Sequence, residues 1–105
     1  MACTADFIEF VCSQIGGAGE VVPRKMFGDY LIYLNGKPVI TACDNTCYVK
    51  KHPVLAPLMQ EAETGCPSAG ASEHYILDPG HRELALKTVT ALWEVLPFPR
   101  SRRRE

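Results

Sequence analysis

RKMFGDYLIYLNGKPV, residues 24–39, is the stretch on which the fold turns. From Tyr30 the run is rich in Leu, Ile and Tyr, the chemistry of a half-buried pleated strand. Asn35-Gly36 stops it. Asn-Gly is the strongest short-range hairpin signal, because a type I′ turn needs positive φ at both central residues, which Asn tolerates and Gly accepts freely. Residues 30–34 are therefore expected to pair with 37–41. Downstream, Asp44-Asn45-Thr46 reads as a second turn, which adds a strand over 47–51. Upstream, Val21, Val22 and the residues after Pro23 begin an extended segment, so four adjacent strands are expected in one antiparallel sheet.

The flanks supply helices. Phe7, Ile8, Val11, Cys12 and Ile15 recur at three- and four-residue steps behind the capping candidate Thr4, and Gly16-Gly17 follow as a stop. His52-Pro53 opens a second helical pattern whose apolar side is Leu55, Leu58, Met59 and Ala62, with Pro57 delaying regular helix to about Ala56. Residues 64–72 read as a loop and 73–77 as a last short strand. A long final helix is then predicted, with Asp78 as N-cap, Pro79 at its first position, and Leu86, Val89, Leu92, Trp93 and Leu96 as its stripe. The order α-β-β-β-β-α-β-α belongs to the α+β class: two layers, a mostly antiparallel sheet of about five strands, and helices on one face.

At 105 residues the chain is long enough for one core, assigned to residues 1–99. Residues 100–105 carry Arg100, Arg102, Arg103 and Arg104 after Pro97 and Pro99, and are expected to form a disordered basic tail. A formal charge of -1 with 22% charged residues gives no overall bias toward nucleic acid or an anionic membrane. No run approaches the roughly 18–20 apolar residues of a bilayer span, so no membrane partner is expected. Five cysteines, an odd count, and the lack of a secretory leader point to the cytoplasm.

Several pieces in register carry a family likeness: Arg24-Lys25-Met26-Phe27-Gly28, the strand from Tyr30 to Leu34, Asn35-Gly36-Lys37-Pro38, Cys43-Asp44, and Tyr48-Val49-Lys50. Together they resemble the N-terminal domain of the TfoX/Sxy family, over nearly the whole chain. The resemblance implies the same α+β fold. It also implies a bacterial protein acting with the transcription machinery, since named members regulate competence for DNA uptake. It supplies no catalytic residue. The chain stops just after this domain, without the second helical domain often associated with the full-length regulators, so direct DNA binding is not expected.

The residues themselves weigh site against scaffold. As scaffold, Met26, Phe27 and Ile32 enter the core, Gly28 provides backbone geometry, and Tyr30 and Leu34 complete the strand. Arg24 and Lys25 are edge guards, or donors aimed at a partner. Lys37, Lys50 and Lys51 would extend them into a basic face. Arg24, Lys25, Phe27, Gly28, Tyr30, Lys37 and Lys50 are accordingly the candidate interaction residues. Cys43 and Cys47 are the weak metal candidates, because a tight hairpin brings two sulfurs together for an ion or a transient disulfide; His52, His74, His81 and Cys66 could in principle complete a ligand set, but they lie on different elements without a paired signature. No metal and no cofactor is expected. Cys66 with His74 or His81 across the loop is the sole arrangement open to nucleophilic catalysis. The leading expectation is a non-enzymatic module that binds a protein partner, or a second copy of itself, through the uncovered sheet face or the strand edge. The alternative is a small-molecule or nucleotide binder with weak activity, using Arg24, Lys25, Tyr30, Tyr33 and Tyr48.

Overall fold

The computed structural model describes residues 3–26, 29–67 and 72–98. Phe27, Gly28 and the Arg-rich end lie outside that set. Helix α1 (Ala5–Ile15) is followed by strands β1 (Val21–Met26), β2 (Asp29–Leu34), β3 (Lys37–Cys43), β4 (Thr46–Lys50), β5 (Thr64–Gly65) and β6 (His74–Leu77), then by helix α2 (Arg82–Val95). The strands form one six-stranded antiparallel sheet in the order β1-β2-β3-β4-β6-β5. The protein is thus α+β, with six strands where about five were expected.

Both expected turns form. Asn35 and Gly36 have φ of 45° and 87°, and Asp44 and Asn45 both have 55°, so each hairpin closes on two left-handed residues. Thr46 begins β4 rather than ending the turn. A bulge between Ile32 and Tyr33 on β2 leaves Val39 as an extra residue on β3, and Val39 and its neighbour Ile40 are both buried. Ile8, Val11 and Ile15 from α1 and Ala85, Val89 and Leu92 from α2 close the core against Ile32, Ile40, Cys47, Val49 and Leu77. Burial of this kind stabilises by about 25 cal/mol for each Å² of apolar surface removed from water.

The two hairpin tips also hold α1. At its start Thr4 caps the helix by accepting from the Phe7 N–H (3.2 Å), and the Thr4 N–H donates to Asn45 Oδ1 (2.9 Å). At the other end Gly16–Ala18 tighten into a 3-10 turn, Gly19 adopts φ of 154°, and the Glu20 N–H donates to Asn35 Oδ1 (2.9 Å). A Cβ on Gly19 would overlap the Asn35 side-chain amide, so the residue must be glycine for this latch to close.

Three expectations need correction. The second helix is absent: Pro53–Leu55 make one 3-10 turn and residues 56–61 follow as turns. Pro57 has no N–H to give the Pro53 carbonyl, and its ring crowds that carbonyl, so the pattern cannot continue as a helix. Leu55 and Met59 are nevertheless buried where the apolar spacing put them. Thr64–Gly65 are strand rather than loop, pairing with His74 and Tyr75. Helix α2 starts late: Asp78 Oδ1 accepts from the Gly80 N–H (2.9 Å) in a turn of its own, and the N-cap is His81, whose Nδ1 accepts from the Leu84 N–H (3.2 Å).

Candidate interaction face

Successive side chains of a strand alternate between faces, so the register sorts the candidates. Ile32 and Leu34 sit over the core, and Pro23, Lys25, Tyr30 and Lys37 share their side of the sheet. Val22, Arg24 and Met26 of β1 fall on the other side with Asp29, Leu31 and Tyr33 of β2, Thr41 and Cys43 of β3, and Tyr48 and Lys50 of β4. No described helix covers this face. Met26 was expected in the core, but it lies three residues from Pro23, the partner of Ile32, and so takes the opposite face, where it is 43% exposed. Val22, on the same face with Arg24 between the two, is 48% exposed.

The expected basic face does not assemble. Arg24 and Lys50 are exposed on the same side but stand on β1 and β4, three strand spacings or roughly 14 Å apart. Lys25 is exposed on the other side. Lys51 is paired with Glu73 (3.1 Å), whose carboxyl is held below the usual range by the Thr64 hydroxyl and by Lys51 itself. Lys37 is buried at 7% exposure: its Nζ donates to the Trp93 carbonyl (2.9 Å), 3.7 Å from the centre of the Trp93 ring and 4.8 Å from that of Phe98. It serves the C-terminal end of α2, where cations are favoured, and presents no charge to a partner.

The β1 edge is guarded. The Asn35 N–H donates to the Glu20 carbonyl (2.8 Å), so stepping by two along the ladder makes Val22 and Arg24 the residues bonded to β2. Val21, Pro23 and Lys25 turn their backbone outward, and Pro23 has no N–H to offer an added strand. The row of donors that edge pairing needs is broken at its middle.

Cys43 and Cys47 cannot share an ion or a disulfide in this register. Cys43 lies opposite Thr46 and Cys47 opposite Ala42, which sends the two side chains to opposite faces. Cys47 is fully buried and its thiol is pushed up to about 12, first by burial. Cys43 reaches the uncovered face, where its Sγ donates to the Pro67 carbonyl (3.0 Å); burial, then Asp29, raises its pKa. Among the described residues no three His, Cys, Asp or Glu side chains group as metal ligands. The histidines offered to Cys66 are engaged with backbone: His74 Nδ1 lies 2.8 Å from the Ser72 carbonyl, and His81 caps α2.

The residues of the small-molecule alternative are also divided, with Arg24, Tyr33 and Tyr48 on the uncovered face and Lys25 and Tyr30 on the other. A cleft of about 690 Å³ exists elsewhere, between the 57–63 turns, the end of β6 and the start of α2. Leu58, Met59, Ala62 and Leu84 line it together with Glu61, Glu63, Asp78 and His81. Sequence reasoning missed it, because it is made by the turns that replace the expected helix.

No family model matches the chain. It is 30% identical over 109 residues to the uncharacterized 12.7 kDa protein in the trpE 5′ region of Spirochaeta aurantia, across 98% of this chain and 91% of that protein. The chain belongs to that protein's family. The family is therefore bacterial in at least this relative, whose name carries no activity. Among the described residues no helix is long and apolar enough to cross a membrane.

Proposed function

We propose that the protein is a non-catalytic interaction module whose uncovered sheet face docks a protein partner, in the transcription-linked setting that the TfoX/Sxy resemblance implies. The observation that carries this reading is the exposure of Val22, opposite Tyr33, and Met26, opposite Asp29, large apolar side chains 48% and 43% exposed on the face that no described helix covers. Apolar surface of this kind gains free energy when covered, whereas the β1 edge, interrupted by Pro23, offers little for strand addition. Arg24 stands between Val22 and Met26 on the same face of β1, opposite Leu31, where a cation sets orientation and on-rate more than affinity.

The test is a capture experiment from native lysate with wild type and a Val22→Glu/Met26→Glu variant, after circular dichroism has shown equal folding. A protein retained by wild type, lost by the variant and reconstituted from purified components supports the reading. Equal retention by both forms overturns it. A second reading rests on the cleft beside α2: a small molecule would bind there rather than at the tyrosines. Glu61, Glu63 and Asp78 at its rim repel phosphates, which disfavours nucleotides and favours cationic or neutral ligands. Thermal-shift screening with Leu84→Glu as control separates this reading from the first.

A further inference from the structure

We propose that Cys43 and Cys66 form a disulfide when the protein meets a peroxide, clamping residues 65–67 onto the uncovered face of the sheet. Three observations converge on this pair. The register turns Cys43 outward, away from Cys47, and its Sγ sits 3.0 Å from the carbonyl of Pro67, the residue that follows Cys66. The chain leaving β5 reaches this point across Tyr48: a Cβ on Gly65 would lie 3.4 Å from the Tyr48 ring and 3.4 Å from Ile76, so the absence of a side chain lets the backbone lie close over the face. Cys66 is exposed, whereas Cys43 is half-buried beneath the strap, which is the arrangement of an attacking and a resolving thiol. The raised pKa of Tyr48, caused first by burial and then by Cys43, Asp44 and Cys66, agrees with both sulfurs standing near one ring.

The chemistry balances without a cofactor. The Cys66 sulfur attacks the O–O bond of hydrogen peroxide, giving a sulfenic acid and one water. The Cys43 sulfur then displaces hydroxide from the Cys66 sulfur, forming the S–S bond and a second water. Two thiols lose two electrons and two protons, and the peroxide takes them up. The bond needs Cα atoms about 4.4–6.8 Å apart, and the movement it asks for falls on Cys66 and Pro67, which belong to no strand or helix. The inference stands whether or not the face docks a partner.

The experiment treats reduced full-length protein with equimolar hydrogen peroxide, blocks remaining thiols with N-ethylmaleimide, and maps peptides without reduction. The expected product is a monomer in which the peptides bearing Cys43 and Cys66 are joined, two hydrogens lighter than their sum. Cys43 and Cys47 share a tryptic peptide, so fragmentation between them assigns the sulfur involved. With a second equivalent of peroxide, Cys43→Ser should instead let Cys66 proceed to sulfinic acid. Linkage of Cys66 to Cys47, Cys3 or a second chain overturns the proposal. So does a Cys66 that in wild type is overoxidised, or left unmodified, while Cys43 stays a thiol.

Discussion

Replacing Lys37 with methionine keeps the aliphatic stem and removes the ammonium from beneath α2. Three favourable terms act through that one charge: a charge-assisted bond to the Trp93 carbonyl, about 1.5–3 kcal/mol; a cation–π contact with Trp93, about 1–2 kcal/mol where water is excluded; and a cation at a helix C-terminus, about 0.3–1 kcal/mol. They share one partner and do not add. Against them stands the desolvation of a nearly buried ammonium, a few kcal/mol that methionine would recover. The variant also leaves the Trp93 carbonyl without its donor. The net expectation is a loss of about 2 kcal/mol. With an unfolding entropy of about 2.1 cal/mol/K per residue, this lowers Tm by roughly 9 °C. Urea unfolding followed by the single tryptophan reads both the loss and the environment of the ring. Wild-type stability within about 0.5 kcal/mol would refute the reasoning, since desolvation would then cancel everything the ammonium contributes. Partner capture by Lys37→Met should stay at the wild-type level, because the side chain faces the helix and not the docking surface.

Gly19→Ala drives a methyl group into the Asn35 amide and should cost about 2 kcal/mol in urea, with β2 and β3 amide shifts changing alongside those of α1. Glu73 titrates below its unfolded value near 4.3, so its contribution is present above that pH and lost as pH falls through the lower folded value. Thr64→Val should move its NMR-detected midpoint back up. Cys47 runs the other way: with the thiol raised to about 12, its contribution is complete below the unfolded value near 8.5 and is lost as pH rises toward 12. Cys47→Ala should flatten that part of the alkaline unfolding curve, and native protein at pH 8 should alkylate at Cys66 while Cys47 remains unmodified.

The central sheet could be read in the chain because its determinants are local. Asn35-Gly36 and Asp44-Asn45 each close a hairpin with residues that accept positive φ, and Thr4 meets its N–H three residues on. The errors arose where local signals compete. Pro57 sits among well-spaced apolar residues, and its missing N–H outweighs their periodicity. Asp78 precedes Pro79 and looks like a cap, but its carboxylate is taken by Gly80 and the role passes to His81. Thr64–Gly65 are too short to show alternation. On the candidate face, a lysine after an Asn-Gly turn reads as solvated, and nothing near Lys37 in the chain points to Trp93, 56 residues away. The separation of Cys43 from Cys47 follows from one step of register, which four-residue spacing alone does not reveal.

The asparagines at the two hairpin tips have a consequence for motion. Helix α1 is fastened at its start to the tip between β3 and β4 and past its end to the tip between β2 and β3, which lie at opposite ends of β3. A beam pinned at both ends does not swing: it can detach only when the strands beneath it part. Amide hydrogens in the middle of α1 should therefore exchange with the same opening free energy as those of β3, so that helix and meander open as one cooperative unit although 21 residues separate Ile15 from Lys37 in the chain.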